Sequence, residues 1–192
     1  NIPIPKEAQR YAEQQLPRGD KYLVISPCSS MAYRNWLPER YAAVADYAST
    51  ELGYLIVLTG GNSPIEQKYA ANIIEAMKSV PINLIGKSSL KELLAILKHA
   101  DIVIAPDSGT AHLATAIGTQ VIGLYACTNP DRARPYLSAN TTINRYPDAI
   151  QKKLNTEVIN VKWGERVRDE FAMPLITVND VTSILQTMDK TK

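Results

Sequence analysis

Short runs of apolar residues alternate along most of the chain with segments whose apolar positions recur every three or four residues. The apolar runs predict strands at residues 21–27, 54–61, 82–86, 101–107 and 120–126. The segments between them predict helices at residues 38–53, 64–80, 89–100 and 110–118. Strands rich in Ile, Leu and Val that alternate with helices are typical of a parallel sheet covered on both faces. The pattern therefore predicts an α/β fold with a doubly wound, Rossmann-like parallel sheet.

Local signals at the helix ends support these boundaries. Pro38 stands in the first turn of its helix, where its missing N–H is harmless, and Gly53 follows the last turn. Ser89 precedes another predicted helix and Glu92 stands three residues later, which is the spacing of a capping box.

The two ends of the chain fit the alternation less well. Residues 1–16 predict a helix after the prolines of NIPIPK, and a helix with no strand before it is unusual for a self-contained Rossmann-like domain. Residues 128–170 are polar and contain prolines, and the stretch VKWGERVRDEF is interpreted as irregular with some helix. Residues 176–188 predict a closing helix that begins near Asn179 or Asp180. One globular domain is the default for this length.

Composition and charge narrow the classes of function. The chain has 21 basic and 19 acidic side chains, and its net charge of +2 is too small to hold nucleic acid. The apolar runs are far shorter than the roughly 20 residues that span a bilayer, and the N-terminus lacks the pattern of an export signal. We therefore expect no nucleic-acid partner. We expect a cytoplasmic location with at most peripheral membrane contact, and the alternative location is the inner face of the inner membrane.

The two cysteines, Cys28 and Cys127, lie far apart in the sequence. Without an export signal they do not indicate a disulfide framework, and their spacing does not predict a metal site. We interpret both as reduced, structural thiols and expect neither a metal nor a cofactor. Each cysteine follows a predicted strand, so the two could lie close together in the fold. A functional role for one of the thiols is the other alternative that stays open.

Polar residues cluster where the predicted strands end, and in an open parallel sheet ligands bind at that edge. The loops after the strands read PCSSMAYRNW, TGGNSPIE, GKSS, PDSGTAH and ACTNPDR. The helix that follows Asp107 offers free N–H groups and a partial positive charge to a phosphate. Gly109 leaves its backbone open to a ligand, while Ser108, Thr110 and His112 are donors for phosphate oxygens.

Two structural explanations stay open at this turn. Asp107 and Ser108 are residue types that cap helices without any ligand, and His112, on an otherwise apolar helix, is also consistent with a core histidine. Neighbours on one turn do not provide the aligned acid, base and nucleophile of a hydrolase. An NAD-dependent oxidoreductase is disfavoured because PCSSMA follows the first strand in place of a G-x-G-x-x-G loop.

The segment DSGTAHLATAIGT resembles the Asp-Ser-Gly-x-x-His-x-x-x-Ala signature of glycosyltransferase family 9, whose heptosyltransferase-like members add heptose to the lipopolysaccharide core. Flanking segments resemble the family in the same order. SSMAYRNWLPERYAAVADY is similar to a Lys-x-Trp-Pro stretch and the helix after it, and LYACTNPDRARPY is similar to a Thr-x-Pro-x-Arg loop. The other flanking segments are VLTGGNSPIE, INLIGKSSLKELLAILKHADIVIAPDSG and AMPLITVNDV. The resemblance covers about residues 20–185, and the shared order of six segments makes it specific.

The resemblance implies the two-lobed GT-B fold, with residues 1–192 as its C-terminal, nucleotide-sugar-binding lobe. Residues 1–20 then correspond to an interlobe helix, and the N-terminal acceptor lobe is expected to be absent. The implied enzyme is an inverting glycosyltransferase that moves a sugar, heptose from a nucleoside-diphosphate-heptose such as ADP-heptose, to a lipopolysaccharide core acceptor. The family's base is an aspartate of the N-terminal lobe, so the isolated domain is expected to be inactive. The alternative is a non-catalytic module that binds a nucleotide sugar or a partner protein.

The resemblance also assigns roles to single residues. The donor diphosphate is expected at Ser108, Gly109, Thr110 and His112, with Asp107 holding the loop and reaching the donor sugar.

Four further residues complete the expected site. Arg34 stands where the family has a lysine, and its expected task is to offset charge on the leaving diphosphate, which makes Arg34 and Asp107 the expected catalytic residues. A solvated surface arginine is the alternative. Glu66 is expected to bind ribose hydroxyls, with an ordinary helix-start glutamate as the alternative, and Ser29 and Ser30 are expected to add phosphate contacts.

Overall fold

The computed structural model describes residues 2–16 and 18–190, and these residues form one six-stranded parallel sheet. The strands are β1 (Lys21–Ile25), β2 (Tyr54–Leu58), β3 (Ile82–Asn83), β4 (Ile102–Pro106), β5 (Gln120–Tyr125) and β6 (Thr142–Asn144). Their order across the sheet is β3-β2-β1-β4-β5-β6. The order therefore reverses between β1 and β4, which pair directly with Val24 opposite Val103.

Helices cover both faces of the sheet. They are α1 (Lys6–Gln15), α2 (Pro38–Leu52), α3 (Pro64–Ala76), α4 (Leu90–His99), α5 (Gly109–Ala116), α6 (Pro130–Ala133), α7 (Tyr146–Leu154) and α8 (Val178–Lys190). Buried residues of α1, α4 and α5 form one core with the sheet, and those of α2, α3, α7 and α8 form the other. The doubly wound architecture predicted from the sequence is confirmed. None of the helices within the described ranges has the length and apolar character needed to cross a membrane.

The predicted capping signals are present in the structure. Gly53 ends α2 in the left-handed conformation, with φ of 72°. Ser89 and Glu92 form the expected capping box at the start of α4. The closing helix begins at Val178, and Asp180 lies at its cap as predicted, where it exchanges side-chain to backbone hydrogen bonds with Thr177.

Helix α3 ends earlier than predicted. It stops at Ala76, and the next residues leave the helix because the Asp46 carboxylate on α2 accepts hydrogen bonds from the backbone N–H groups of Lys78 and Ser79. Apolar spacing alone carries no information about this contact between two helices.

Three labelled elements within residues 128–170 were not predicted from the sequence: the short helix α6, strand β6 and helix α7. Strand β6 is only three residues long and lies at the edge of the sheet, where its polar ends give no apolar run. Helix α7 begins just before Pro147, a residue that is compatible with a first helical turn. The expectation of some helix in VKWGERVRDEF is wrong, since residues 161–171 contain none.

Candidate functional site

A cavity of about 500 Å³ opens at the carboxyl edge of the sheet. Its lining comes from the loop after β1 and from the N-terminal turns of α3, α4 and α5, so it lies where the strand order reverses. Six of the nine predicted site residues line it: Ser29, Ser30, Glu66, Ser108, Gly109 and Thr110. A second cavity of about 360 Å³, between α1 and the C-terminal ends of α4 and α5, contains none of the nine.

The turn between β4 and α5 does not use its polar side chains as helix caps. Ser108 occupies the N-cap position, yet its side chain makes no capping hydrogen bond. Its hydroxyl is buried and has no hydrogen-bond partner among the described residues. The carboxylate of Asp107 faces other partners, and the capping explanation is therefore wrong for both residues. The first N–H groups of α5 receive no side-chain cap and lie beside the cavity.

Gly109 and Thr110 begin α5 and expose hydrogen-bonding groups to this cavity. A Cβ atom built on Gly109 would meet no atom within 4 Å, and the residue has no positive φ. Neither packing nor backbone conformation requires glycine here, but its missing side chain leaves the backbone accessible. The Thr110 hydroxyl accepts a hydrogen bond of 3.1 Å from the buried Ser26 at the end of β1, which leaves its own hydrogen free for another acceptor.

Arg34 and Asp107 form an ion pair beside the cavity. The Nη1 atom of Arg34 lies 3.0 Å from Oδ2 of Asp107, and the two side chains are only 13% and 15% exposed. The same carboxylate oxygen accepts a 3.0 Å hydrogen bond from the hydroxyl of Thr128. The alternative of a solvated surface arginine is therefore wrong.

The local sequence around Arg34 fixes its position. Arg34 ends a short 3-10 turn, and two residues later the fully buried Trp36 donates its indole N–H to the carbonyl of Ile176. The thiol of Cys127 donates to the carbonyl of Tyr33, so the loop is held from both sides. The Nε atom of Arg34 is buried without a hydrogen-bond partner in the described residues, so this N–H of the guanidinium is unused.

Glu66 makes the helix-start contacts that the sequence left open and also lies at the cavity, while its contact with ribose stays a prediction. Its carboxylate accepts 2.7 Å hydrogen bonds from the Gly61 N–H and the Ser63 hydroxyl, and Ser63 caps α3. Its carboxylate also lines the cavity, and each oxygen keeps capacity for another donor. The helix-start contacts thus hold the carboxylate at the cavity wall.

His112 is the predicted site residue whose position differs most from expectation. It lies on α5 with an exposed side chain, outside the group of residues that line the cavity. Its ring has no hydrogen-bond partner in residues 2–16 or 18–190. The core-histidine alternative is wrong, and a contact with a bound ligand stays a prediction.

Other residues at the cavity were not assigned from the sequence. Asn35 accepts a 2.8 Å hydrogen bond from the Ser29 N–H and so shapes the loop after β1. Four large apolar side chains also line the cavity: Ile65, Leu90, Leu93 and Leu113. Leu90 is 63% exposed and Ile65 is 65% exposed. Helical periodicity identifies residues that face the core, so it did not predict these exposed residues at the cavity.

Both cysteines are free thiols. Cys28 lines the cavity, and burial together with the nearby Glu66 carboxylate raises the pKa of its thiol to about 12. Burial also raises the pKa of Cys127 to about 12. Both residues are therefore neutral near pH 7 and poorly nucleophilic.

Comparison with known sequences gives one family. A sequence model of glycosyltransferase family 9 (heptosyltransferase) matches residues 1–163. The lipopolysaccharide core heptosyltransferase OpsX of Haemophilus influenzae is 34% identical over 180 residues, which are 94% of this chain and 52% of that protein. Lipopolysaccharide heptosyltransferase 3 of Escherichia coli K12 is 34% identical over 118 residues, 61% of this chain and 34% of that protein. The chain thus spans about half or less of the length of these curated relatives.

Comparison with solved structures agrees on the fold. The family 9 glycosyltransferase of Veillonella parvula superposes with a TM-score of 0.79 at 24% identity, over 100% of this chain and 54% of that one. The ADP-heptose lipopolysaccharide heptosyltransferase II of E. coli gives a TM-score of 0.72 at 18% identity, over 100% and 54%. The expected fold, a Rossmann-like lobe of the GT-B type, is confirmed.

Proposed function

The chain belongs to glycosyltransferase family 9, and from this premise we propose that it is the donor-binding half of an inverting glycosyltransferase. The transferred sugar is heptose, carried by a nucleoside diphosphate such as ADP, and the acceptor is the lipopolysaccharide core. Its relatives are named as lipopolysaccharide heptosyltransferases, and one solved neighbour is the E. coli heptosyltransferase WaaC with ADP. Residues 1–20 then belong to the connection with an acceptor lobe, and the expected cytoplasmic location stays a prediction.

The single observation that carries this proposal is the uncapped N-terminus of α5 at the cavity. Free backbone N–H groups and the helix dipole favour a diphosphate there. The unpartnered hydroxyl of Ser108 and the spare hydrogen of Thr110 add two donors, and Gly109 lets the phosphate approach the backbone. A buried hydroxyl without a partner is unfavourable in the free protein, so a ligand that accepts from it is favoured.

The remaining walls suit the nucleoside. The Glu66 carboxylate is held at the cavity and accepts hydrogen bonds from ribose hydroxyls. The exposed side chains of Ile65 and Leu90 give apolar surface for a base. A volume of about 500 Å³ lies within the usual range of small-molecule sites.

Arg34 and Asp107 supply the electrostatic part of the reaction. As the glycosidic bond to the diphosphate breaks, negative charge develops on the leaving oxygen, and a fixed guanidinium stabilises it without reorganisation. Asp107 holds the guanidinium by the 3.0 Å ion pair and contacts the donor sugar. Ser29 and Ser30 on the opposite loop complete the phosphate contacts.

Isothermal titration with ADP and UDP tests this function. We expect at least one nucleotide to bind, and we expect Gly109→Ala to weaken binding at least about tenfold, because a methyl group there occupies the path of the diphosphate. The same substitution should leave the melting temperature unchanged or slightly higher, since the added Cβ meets no protein atom.

Gly164→Ala is the matched control, because a Cβ atom at Gly164 would also meet no atom within 4 Å and the residue lies outside this cavity. It should leave nucleotide affinity unchanged. Absence of heat and of amide chemical-shift changes with ADP, UDP and every sugar nucleotide tested would contradict the proposed function.

A paired histidine experiment tests the ligand contact of His112. His112→Ala should weaken nucleotide binding by about threefold to tenfold, the loss of one hydrogen bond to a charged group, with no change in melting temperature because the side chain is exposed. His99→Ala is the control, since His99 lies in the last turn of α4 and contacts the Ala95 carbonyl. Equal affinities of the two variants would remove His112 from the site.

A further inference from the structure

A separate cavity of about 350 Å³ lies beside the irregular segment that follows α7. We call it the arginine cavity, and it is lined by Lys153, Gly164, Glu165, Arg166 and Arg168. None of these residues belongs to the site expected from the family resemblance.

Backbone contacts link the segment that carries the two arginines to the ion pair of the candidate site. Arg166 forms an isolated antiparallel bridge with Thr128, and the N–H of Val167 donates to the carbonyl of Cys127 at 2.9 Å. Thr128 in turn donates to the carboxylate of Asp107. The arginine segment is therefore one residue contact away from Asp107.

The two arginines share the outer face of this segment. Val167 between them is fully buried, and alternate residues of an extended stretch point to opposite sides. Arg166 and Arg168 therefore both project away from the core, toward the cavity that they line.

The charges around the arginine cavity are only partly paired. Lys153 forms a 3.1 Å ion pair with Asp169. Arg166 and Arg168 make no ion pair or side-chain hydrogen bond with any residue of the ranges 2–16 and 18–190, and the carboxylate of Glu165 has no such partner either. Two neighbouring guanidinium groups without a counter-ion suit bidentate binding of a phosphate.

We propose that the arginine cavity binds the phosphate group of a phosphorylated saccharide. Arg166 and Arg168 donate to the phosphate oxygens, and Glu165 accepts a hydrogen bond from a sugar hydroxyl. Assigning this ligand to the acceptor side of the reaction rests on the proposed function, whereas the binding site itself rests on the geometry around Val167.

The distribution of charge favours a single phosphate over a membrane surface. Trp163 and Ile159 nearby are 63% and 85% exposed, as in proteins that dock on bilayers. Exposed acidic residues, Glu157 and Glu170, interrupt the basic residues of this region. An anionic bilayer attracts a continuous basic face, while one phosphate needs only the two arginines.

Titration of glucose 6-phosphate in the presence of saturating ADP tests this site, because ADP occupies the first anion site at α5. We expect the double variant Arg166→Gln/Arg168→Gln to weaken glucose 6-phosphate binding at least about tenfold and to leave ADP affinity unchanged. The control, Arg10→Gln/Arg18→Gln, removes the same charge from exposed positions near α1 and should change neither affinity. Glu165→Ala removes the acceptor for a sugar hydroxyl together with a negative charge near the phosphate. It should therefore lower the affinity for glucose 6-phosphate relative to that for inorganic phosphate, which separates a sugar phosphate from the free ion.

Equal binding of glucose 6-phosphate by the original chain and the double variant overturns the proposal. The proposal is also overturned if the double variant keeps its binding to glucose 6-phosphate and loses only its binding to phosphatidylcholine vesicles that contain anionic lipid. That result would identify a membrane surface as the partner of the two arginines. Failure of the chain to bind ADP would instead contradict the proposed function, and the phosphate titration of the variants would still report on the arginine cavity.

Discussion

Arg34→Ala should lower the rate of heptose transfer by about a hundredfold to a thousandfold in a protein that contains this chain together with the family's acceptor lobe. The guanidinium lies 3.0 Å from Asp107 and is mostly buried, so it is fixed before the donor binds. Fixed donors that face developing negative charge contribute this order of rate enhancement when tested by mutation. The measurement is product formation from ADP-heptose, followed by mass spectrometry, with kcat and KM determined separately.

The same substitution should also destabilise the isolated chain. Among the described residues it leaves the Asp107 carboxylate, 15% exposed, with only the Thr128 hydroxyl as a partner. Loss of one partner of a mostly buried ion pair costs about 2 kcal/mol or more. Arg34→Lys keeps the charge that the family has at this position and should restore most of the stability.

The double variant Arg34→Ala/Asp107→Ala tests the stability argument, because it removes both charges and should be more stable than Arg34→Ala alone. Catalysis is judged on Arg34→Ala itself, whose kcat should fall further than its unfolded fraction explains. A kcat that falls only in proportion to the unfolded fraction would assign Arg34 a structural role and remove it from the catalytic step.

The isolated chain should bind donor and transfer no sugar to an acceptor. Inverting transfer needs a base on the side of the sugar opposite the leaving diphosphate. Asp107 is paired with Arg34 and Thr128, and Glu66 is held by Gly61 and Ser63, so both carboxylates already have partners on the donor side. By the family resemblance, the base is an aspartate of the acceptor lobe.

This expectation is checked by mixing the 192-residue chain with ADP-heptose and lipopolysaccharide core acceptor and measuring product by mass spectrometry. The rate should be at least about a thousandfold below that of the two-lobed protein, with slow donor hydrolysis as the only reaction. The control is calorimetry on the same sample, which must show nucleotide binding. Robust transfer by the chain alone would place the base within it, and nucleotide binding without transfer by the two-lobed protein would favour the non-catalytic module.

The pattern of residues along the chain predicts the architecture and the edge of the sheet where the candidate site lies. Runs such as DIVIA and YLIVL are apolar on both faces. Strands of this kind are stable when helices cover both faces of the sheet and bury their side chains. The polar residues that follow those strands then meet at one edge, because parallel strands all end there. Six of the nine predicted residues line a single cavity for this reason.

The contacts between side chains of the candidate site, by contrast, follow from the fold. Arg34 and Asp107 follow β1 and β4, which are far apart in the chain but adjacent in the sheet. Asp107, which the sequence offered as a helix cap, is therefore half of a mostly buried ion pair. Likewise, the bridge between Thr128 and Arg166 holds the polar segment around Arg166 against the same edge of the sheet. The sequence pattern predicts this segment only as an irregular stretch. The periodicity of apolar side chains indicates whether a residue faces the core, and it is a property of each helix or strand alone. Contacts between loops depend on strand order and on bridges between distant segments, for which the pattern along the chain carries no signal.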